Sequence, residues 1–426
     1  MIKLAIFDLD GTLYEAHRTA SAAANAVLVE FGLPPVSVEF IKEIIGETMD
    51  RFCRLIAPSL SQEDRRLLAD GVRLRERELI PTHGRLFEGV KPMLQQFINM
   101  GYVLAICSNG SREYVDTVVK CFRIEKFFTH YSCREPGRTK SQAVGDLLVG
   151  VKPEYAVMIG DSVFDFAAAK DNALPCIAAA YGYGAGDLTQ AGFAAQCARE
   201  ITGLAARCEI FSAIERACGC RAAGKPLIIG VNGVDTSGKT QFSNALEQFL
   251  RHRGHHTQLI HLDDFHNPRA IRTSGEDENQ SYIDHAFNLQ RLETELLEPI
   301  SSCGAVDVEL DLLDLDSDSF TNHKRYTTTT DTIVIVEGVL LFRPPIDQYF
   351  DLRVFLHIGF DEVLRRAEAR DVPLYGPEFL DRYRRKYIPI QQKYLAQWQP
   401  MERSDFMIDN TDYKCPILIK QPAALG

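Results

Sequence analysis

The chain has 426 residues, of which 25% are charged, and its formal net charge is −11. At ~100–200 residues per domain this length predicts two or three domains, and the acidic balance argues against non-specific binding to nucleic acids or anionic membranes. The eleven cysteines lack paired metal-type spacing, and no apolar run reaches the ~18 residues of a membrane span. Nor does the N-terminus have the pattern of a signal peptide. We therefore expect a cytoplasmic protein with reduced cysteines and no nucleic-acid or membrane partner.

The first apolar run, 3–7, has the length of a buried strand, and Asp8 and Asp10 follow it. Residues i and i+2 of an extended segment face the same side, so the two carboxylates are expected to converge. Mg²⁺ favours one or two carboxylates together with phosphate oxygens. The pattern predicts a metal-assisted phosphoryl site, and the alternative is a strand–turn boundary with two surface acids.

The next 70 or so residues, about 14–83, predict an inserted helical module. Apolar residues recur at a spacing of three to four and indicate helices over 20–31, 36–45 and 63–79. A helix over 90–100 and a buried strand over 102–107 then return the chain to a sheet. Ser108 and Asn109 follow that strand, and their hydroxyl and amide groups can bind phosphate oxygens.

Further on, Lys140 precedes a predicted helix over 141–148, and a strand over 155–160 is followed by Asp161 and Asp165. If a helix begins directly after this strand, the two aspartates lie one turn apart on one face. Three predicted strands therefore end in polar residues suited to phosphate and Mg²⁺. Ligands of open α/β sheets bind at the carboxyl ends of the strands, so we expect one site there.

These motifs, taken in order, resemble the haloacid dehalogenase (HAD) phosphohydrolase superfamily over residues 1 to about 210, and in particular its phosphoglycolate-phosphatase-like branch. The resemblance implies a Rossmann-like core with a helical cap over about 14–83. It also implies that Asp8 is the nucleophile that forms an aspartyl-phosphate, and that Asp10 is the general acid and base. Many relatives carry proline after the motif lysine, where this chain has Ser141, so phosphoglycolate itself is left open as the substrate.

The other roles follow from the same resemblance. Ser108 and Lys140 would hold the phosphoryl oxygens, and Asn109 would contact the substrate. Asp161 would ligate Mg²⁺, and Asp165 would support either the metal site or Lys140. The expected metal-site residues of the first domain are Asp8, Asp10, Asp161 and Asp165.

A predicted helix over 201–220 and a short linker over 221–226 divide the chain into expected domains of 1–220 and 221–426. A glycine-rich stretch, Gly182–Gly186, follows the last expected strand of the first domain. Immediately after the linker, an apolar run over 227–231 leads into Gly233–Thr240, which fits G-x-x-x-x-G-K-[ST]. The residues of this loop expected to bind nucleotide phosphates are Gly233, Asp235, Ser237, Gly238, Lys239 and Thr240. A plain glycine-rich turn is the alternative.

The physical reason for a phosphate loop is specific. Glycines let backbone N–H groups turn inward, and the following helix presents its positive end to the anion. Lys239 would neutralise phosphate charge, and Thr240 would offer its hydroxyl to Mg²⁺. Two acids follow later strands: Asp263, with Asp264 beside it, and Glu337, at a position where a carboxylate can orient Mg²⁺. Two arginine clusters, around 365–370 and 382–386, could clamp phosphates, although a solvated helix face is the alternative.

Residues 225–415 resemble the uridine kinase branch of P-loop kinases, with a three-layer α/β/α P-loop NTPase fold. The resemblance implies ATP or GTP as donor, Mg²⁺ on Thr240 and Glu337, and Asp263 as the base for the acceptor hydroxyl, with Asp264 as a substitute. Arg366 and Arg370 would belong to a lid. Residues expected to contact a nucleoside-like acceptor are Asp264, Tyr282, Asp284, His285 and Phe287.

Two functions remain in view. The first is a bifunctional enzyme that joins a phosphatase acting on a small phosphorylated metabolite to a kinase acting on a nucleoside-like or other small hydroxyl acceptor. The second is a phosphatase regulated by a nucleotide-binding domain that does not turn over an acceptor. A pure nucleotide sensor needs no base, so Asp263, Glu337 and the arginines favour the first. A nucleic-acid-binding ATPase fits poorly with the acidic balance.

Overall fold

The computed structural model describes residues 2–184, 188–219 and 224–423. The chain divides into two compact units, Met1–Glu209 and Ile210–Gly426. The division falls inside a helix, Ala198–Cys218, ahead of the expected linker. Residues 221–223 of that linker and 185–186 of the glycine-rich stretch lie outside the described residues. No helix in the described part of the chain is long and apolar enough to cross a lipid bilayer.

The first unit contains six strands and nine helices among its described residues, the last helix running across the division. The strands are β1 (Lys3–Phe7), β2 (Tyr102–Cys107), β3 (His130–Ser132), β4 (Tyr155–Gly160), β5 (Cys176–Ala179) and β6 (Gly192–Ala195). The helices are α1 (His17–Glu30), α2 (Val38–Ile44), α3 (Met49–Ile56), α4 (Gln62–His83), α5 (Val90–Asn99), α6 (Arg112–Cys121), α7 (Lys140–Val151), α8 (Val163–Asp171) and α9 (Ala198–Cys218). Single 3-10 turns occur at Glu125–Phe127 and Leu188–Ala191.

The sheet of this unit is parallel throughout, in the order β3-β2-β1-β4-β5-β6. Alternate residues of β1 face opposite sides of the sheet. On one side, Ala5 and Phe7 pack in a core cluster with α5, α6 and α9. On the other side, Leu4 and Ile6 pack in a second cluster with α7 and α8. The result is a three-layer, Rossmann-like α/β core. The strand order reverses between β1 and β4, and ligands of such sheets bind outside the carboxyl ends of the strands at that point.

Helices α1–α4 have a hydrophobic cluster of their own, which includes Leu28, Ile41, Phe52 and Leu68. Three of these helices begin at side-chain caps: Ser37, Thr48 and Ser61 each accept a hydrogen bond from a backbone N–H of the first turn. Because α1–α4 share this cluster, they form a small helical body within the unit, over residues 17–83. It occupies the stretch that the sequence assigned to a cap.

The second unit is also α/β. Its strands are β7 (Leu227–Gly233), β8 (Thr257–His261), β9 (Val306–Asp314), β10 (Ser319–Thr328), β11 (Ile333–Gly338), β12 (Leu352–His357), β13 (Phe406–Asp409) and β14 (Ile417–Lys420). Its helices are α10 (Lys239–His252), α11 (Arg269–Arg272), α12 (Glu278–His285), α13 (Leu289–Leu292), α14 (Glu298–Cys303), α15 (Phe360–Tyr375), α16 (Phe379–Arg382) and α17 (Ile388–Trp398). Short 3-10 turns at Leu262–Phe265 and Ile346–Tyr349 and π-helical turns at Glu293–Leu297 and Tyr383–Tyr387 complete it.

The main sheet of the second unit has the order β14-β13-β12-β7-β11-β8, with only β14 antiparallel to its neighbour. Strands β9 and β10 form a separate antiparallel hairpin. Residues 315–318 form the turn that joins the two strands. Strand β7 lies between β11 and β12, so the loop after β7 leaves the middle of the sheet.

Candidate active sites

The first candidate site lies where β1 ends and where α7 and α8 begin. Asp8 follows β1, and its backbone N–H donates to the carbonyl of Ile159 in β4, 2.8 Å away. Lys140, the first residue of α7, places its Nζ 2.5 Å from Asp8 Oδ1 and 2.6 Å from Asp165 Oδ1. All three side chains are buried. One ammonium group therefore links two carboxylates that are far apart in the sequence.

Asp161 is held in place by the glycine-rich loop after β5. Its Oδ2 accepts hydrogen bonds from the backbone N–H groups of Tyr183 (2.8 Å) and Gly184 (3.2 Å), and Thr12 Oγ1 donates to its Oδ1 over 3.3 Å. A Cβ atom at position 184 would lie 1.5 Å from the carbonyl oxygen of Asp161, so this close approach requires glycine. The sequence indicated only that this loop follows the last strand, since a loop's target cannot be inferred from composition.

The condition that a helix begins directly after β4 is not met. Helix α8 begins at Val163, and Ser162 is its N-cap. Asp165 Oδ2 accepts from the Ser162 N–H (3.0 Å) and hydroxyl (2.7 Å), which completes a capping box. Asp161 and Asp165 meet because one precedes the cap and the other lies in the first turn, not because they share a helical face.

Asp8, Asp161 and Asp165 could hold a metal ion, since one oxygen from each lies within 4.8 Å of the others. Burial raises the pKa of Asp8 well above its usual range, against the opposing effect of Lys140, and burial together with Asp165 raises the pKa of Asp161 to about 7. Lys140 pairs with Asp8 and Asp165 but not with Asp161, so a divalent cation would compensate the remaining negative charge of the three carboxylates. Oxygen donors of this kind fit Mg²⁺.

Asp10 lies outside that group of three. The strand ends at Phe7 and the chain turns at Gly11, whose φ is +86°, so strand alternation does not extend to Asp10. Its Oδ1 accepts a hydrogen bond from the Tyr114 hydroxyl over 2.7 Å, and burial raises its pKa to about 6. Asp10 also lines a cavity on the side of the helical body. Tyr114 was not identified from the sequence, because it is in α6, which no motif marked.

Ser108 and Asn109 lie at the carboxyl end of β2, beside Asp8 on β1. Ser108 is buried, and its Oγ accepts from the Gly110 N–H over 3.0 Å. The Asn109 side-chain amide donates to the carbonyl of Gly46, just after α2 (3.0 Å). Asn109 therefore connects the helical body to the edge of the sheet where the aspartates converge.

The second candidate site is the loop Gly233–Thr240 between β7 and α10. Gly238 has φ +88°, a conformation open to glycine, and α10 begins at the next residue. Lys239 is buried, and its Nζ donates to the carbonyl of Val234 over 2.9 Å. The lysine thus lies along the inside of the loop, where an anion would meet both the ammonium and the positive end of the helix.

The remaining loop residues are fixed by more distant parts of the unit. Asp235 exchanges two hydrogen bonds with Gln391 of α17: its N–H donates to Oε1 over 2.9 Å and its Oδ2 accepts from Nε2 over 2.5 Å. The buried carbonyl of Ser237 accepts from Asn410 Nδ2 over 2.6 Å. Gln391 carries no motif, so only the fold could identify it as a support of the loop.

Thr240 and Glu337, the two residues expected to hold Mg²⁺, lie side by side in the second unit. Thr240 Oγ1 donates to Glu337 Oε1 over 3.0 Å, and His261 Nδ1 is 2.7 Å from the same oxygen. Strand β11, which ends with Glu337 and Gly338, lies between β7 and β8 and pairs with both. The hydroxyl and carboxylate fit the oxygen ligands that Mg²⁺ favours, and His261 is an additional residue of this site.

The two neighbouring aspartates, Asp263 and Asp264, have different surroundings. Asp264 Oδ2 accepts from Lys324 Nζ (2.7 Å) and from the Tyr326 hydroxyl (3.2 Å), both on β10. The Asp263 carboxylate is exposed and forms no side-chain hydrogen bond within the described residues. It is close enough to Asp235 to help raise the pKa of that carboxyl, for which burial is the main cause. Asp263 is therefore the carboxylate available for chemistry.

The expected acceptor residues divide into two groups. Tyr282 and Phe287 form part of an aromatic cluster: their rings are 6.3 Å apart, and Tyr282 also contacts Tyr387 (5.9 Å). Asp284 and His285 are exposed, and Asp284 Oδ2 accepts from Gln280 of the same helix over 2.7 Å. The aromatic pair, unlike the polar pair, faces other elements of the unit.

Of the two lid arginines, Arg366 reaches the phosphate loop. Its Nη1 donates to the carbonyl of Thr236 over 2.9 Å, and its Nε pairs with Glu362 over 2.6 Å. Arg370 is engaged by the neighbouring Asp371 through Nε (2.7 Å) and by the Tyr383 hydroxyl (3.0 Å). Both arginines lie on α15, but only Arg366 contacts the loop directly.

Comparison with known proteins assigns the first unit. The family model for haloacid dehalogenase-like hydrolases matches residues 5–179. A phosphoglycolate phosphatase from Chromobacterium violaceum is 30% identical over 204 residues, which cover 45% of this chain and 90% of that protein. The chain belongs to the haloacid dehalogenase-like hydrolases. The prediction of a HAD-type, phosphoglycolate-phosphatase-like enzyme domain in the first half is confirmed.

Two solved structures are each similar to about half of this chain. A predicted phosphoglycolate phosphatase from Haemophilus somnus is 22% identical, with a TM-score of 0.45, and covers 48% of this chain and 98% of its own. A possible uridine kinase from Bacillus stearothermophilus is also 22% identical, with a TM-score of 0.37, and covers 47% of this chain and 98% of its own.

Proposed function

We propose that the first unit is a Mg²⁺-dependent phosphatase of small phosphomonoesters that works through an aspartyl-phosphate. The buried cluster of Asp8, Lys140, Asp161 and Asp165 is the observation that supports this. A carboxylate nucleophile divides hydrolysis into two easier steps. In the first, Asp8 attacks phosphorus, and the leaving alkoxide takes a proton from Asp10. In the second, Asp10 accepts a proton from water, which attacks the aspartyl-phosphate and releases inorganic phosphate.

The remaining residues have supporting roles in this proposal. Lys140 and the Ser108 hydroxyl hold the phosphoryl oxygens, and Lys140 reduces repulsion between Asp8 and the incoming phosphate. Asp8, Asp161 and Asp165 would hold Mg²⁺, which supplies Lewis-acid stabilisation of the charge on the transferring phosphoryl group. Burial gives Asp10 a pKa of about 6, close to the range in which one group can act as both acid and base.

Metal removal tests this proposal. We expect the full chain to release inorganic phosphate from at least one member of a panel of small phosphomonoesters that includes phosphoglycolate and sugar phosphates. EDTA should abolish the release and added Mg²⁺ should restore it, because three buried carboxylates then lack a counter-cation. Phosphate release that persists at the same rate in EDTA would contradict the metal-assisted mechanism.

We further propose that the second unit is a P-loop kinase that transfers the γ-phosphoryl group of ATP or GTP to a nucleoside-like or other small hydroxyl acceptor. The arrangement of Lys239, Thr240 and Glu337 around one loop supports donor binding with Mg²⁺. Asp263, exposed at the end of the neighbouring strand β8, would accept the proton of the acceptor hydroxyl. Tyr282, which is half-buried, would offer an aromatic face to an acceptor, and Phe287 is buried against it. Arg366 would contact transferring phosphates.

The Asp263 and Asp264 pair tests the kinase proposal. A nucleoside panel with labelled ATP or GTP and Mg²⁺ should first show which acceptor is phosphorylated. Asp263→Asn should then lower kcat by ~10²–10⁴, the usual contribution of a general base, with little change in donor binding. Asp264→Asn keeps an acceptor for Lys324 and Tyr326 and should retain most of the activity. The reverse order of effects would assign the base to Asp264 instead.

A further inference from the structure

The first unit contains a cavity of about 400 Å³ between the helical body and the edge of the sheet. On the sheet side it is lined by Asp10, Asn109 and Tyr114, so it opens directly beside the proposed phosphoryl site. On the helical side, its wall includes Ile44, Met49, Phe52 and Val72. The cavity therefore joins a polar floor to an apolar wall, as small-molecule sites commonly do.

The size of the cavity bears on the leaving group. Pockets of ~300–1,000 Å³ enclose ligands of drug-like size, whereas the glycolate portion of phosphoglycolate has only two carbon atoms. A leaving group of that size would leave most of the apolar wall without contact. Only a leaving group larger than glycolate would cover the apolar wall and so stabilise binding by removing that wall from water.

Glu76 is a buried acid of this cavity, and it forms no ion pair with any of the described residues. It lies on the buried face of α4 between Val72 and Ile80, and it is 9% exposed. The two arginines of the same helix that line the cavity pair with other acids, Arg73 with Asp70 and Arg77 with Glu113. A buried carboxylate with no ion pair is costly, so the neutral form is favoured.

The hydrogen bonds around Glu76 agree with a neutral carboxyl. Its Oε1 is 3.3 Å from Thr19 Oγ1, but the single hydroxyl proton of Thr19 also has a nearer acceptor, the carbonyl of Ala16 at 3.1 Å. Within the described residues no other side chain bonds to Glu76. Burial, together with the nearby Asp10 carboxylate, raises the pKa of Glu76 to about 8. A neutral Glu76 carboxyl is a hydrogen-bond donor, and its one side-chain hydrogen-bond contact within the described residues is the long contact of 3.3 Å to Thr19 Oγ1.

We propose that Glu76 selects the leaving group of the phosphatase substrate and that this leaving group is a sugar ring. A hydroxyl or the ring oxygen of the sugar accepts a hydrogen bond from the Glu76 carboxyl. The apolar face of the ring packs on the wall formed by Ile44, Met49, Phe52 and Val72. The substrate class is thus a sugar phosphate, either free or as part of a nucleoside monophosphate. This inference rests on the proposed phosphatase function. Glu76 determines specificity and takes no part in the phosphoryl chemistry at Asp8.

The test compares KM and kcat for ribose 5-phosphate, glucose 6-phosphate, uridine monophosphate and phosphoglycolate in the full chain with Mg²⁺. The wild type should have a higher kcat/KM for at least one sugar-containing substrate than for phosphoglycolate. Glu76→Leu removes the donor while keeping apolar volume on a buried helix face. It should raise the KM for that substrate by about tenfold, the equivalent of one hydrogen bond of ~1.4 kcal/mol, with kcat and the phosphoglycolate KM unchanged.

Glu76→Gln keeps an N–H donor in the same place and should restore a KM within about threefold of wild type, a difference below one net hydrogen bond. Glu78→Gln, on the exposed side of the same helix, is the matched control and should change neither KM. A wild-type preference for phosphoglycolate, or equal KM changes for all substrates in Glu76→Leu, would overturn the inference while leaving the phosphatase proposal intact. If the wild type hydrolyses none of the substrates, the phosphatase proposal itself fails.

Discussion

Asp8→Asn is expected to lower kcat for phosphate release by at least about a thousandfold, the order of loss seen when a catalytic nucleophile is removed. An amide oxygen is a poor nucleophile, so no aspartyl-phosphate should form. The side chain has the same shape, and its oxygen can still accept from Lys140 Nζ, which lies 2.5 Å from Asp8 Oδ1. The measurement is steady-state phosphate release from the best substrate, with trapping of the phosphorylated enzyme as a second readout.

The controls for Asp8→Asn separate chemistry from folding. Asp50→Asn alters an aspartate on the exposed surface of α3, paired with Arg54, and should keep wild-type hydrolysis. Nucleotide binding by the second unit should be unchanged in both variants. Hydrolysis retained in Asp8→Asn at more than a few per cent of wild type would exclude Asp8 as nucleophile and favour direct attack by water.

Much of the first unit could be predicted from the sequence. Strands of a parallel sheet are buried on both faces and form continuous apolar runs, so the predicted bounds of β1, β2 and β4 match the structure. Polar residues directly after those strands were then the natural candidates for the site, and Asp8, Asp161 and Asp165 do converge. The Rossmann-like HAD core was implied by the resemblance of these motifs, taken in order, to that superfamily.

Residues that act across the fold could not be predicted in the same way. Tyr114 contacts Asp10, and Glu76 lines the cavity, yet each lies in a helix whose pattern indicates only burial or exposure. The choice between Asp263 and Asp264 depended on the hairpin β9–β10, whose Lys324 and Tyr326 engage Asp264. That hairpin was not predicted from the sequence, although the alternating polar and apolar residues of β9 are typical of a strand.

Lys239→Ala should reduce phosphoryl transfer from ATP or GTP by ~10²–10³ in kcat, the typical cost of losing one preorganised electrostatic group. Lys239 is the buried cation inside the loop, and its Nζ donates to the carbonyl of Val234. Without the ammonium, the loop offers only backbone N–H groups and the helix end to the β- and γ-phosphates. Isothermal titration with a non-hydrolysable nucleotide, beside the transfer assay with the acceptor found in the nucleoside panel, measures donor binding and catalysis separately.

The effect of Lys239→Ala on the other activity decides between the two functions of the second unit. Lys414→Ala, which removes a lysine well beyond the loop in the sequence, is the matched control and should preserve both activities. If the two units are independent enzymes, Lys239→Ala should leave phosphate release by the first unit at the wild-type rate, with or without ATP. If the wild-type phosphatase responds to ATP, no acceptor is phosphorylated, and Lys239→Ala abolishes that response, then the second unit regulates the first, and the kinase proposal is wrong. Thr240 and Glu337 would then hold Mg²⁺ for nucleotide sensing, and Asp263→Asn would have no effect on either measurement.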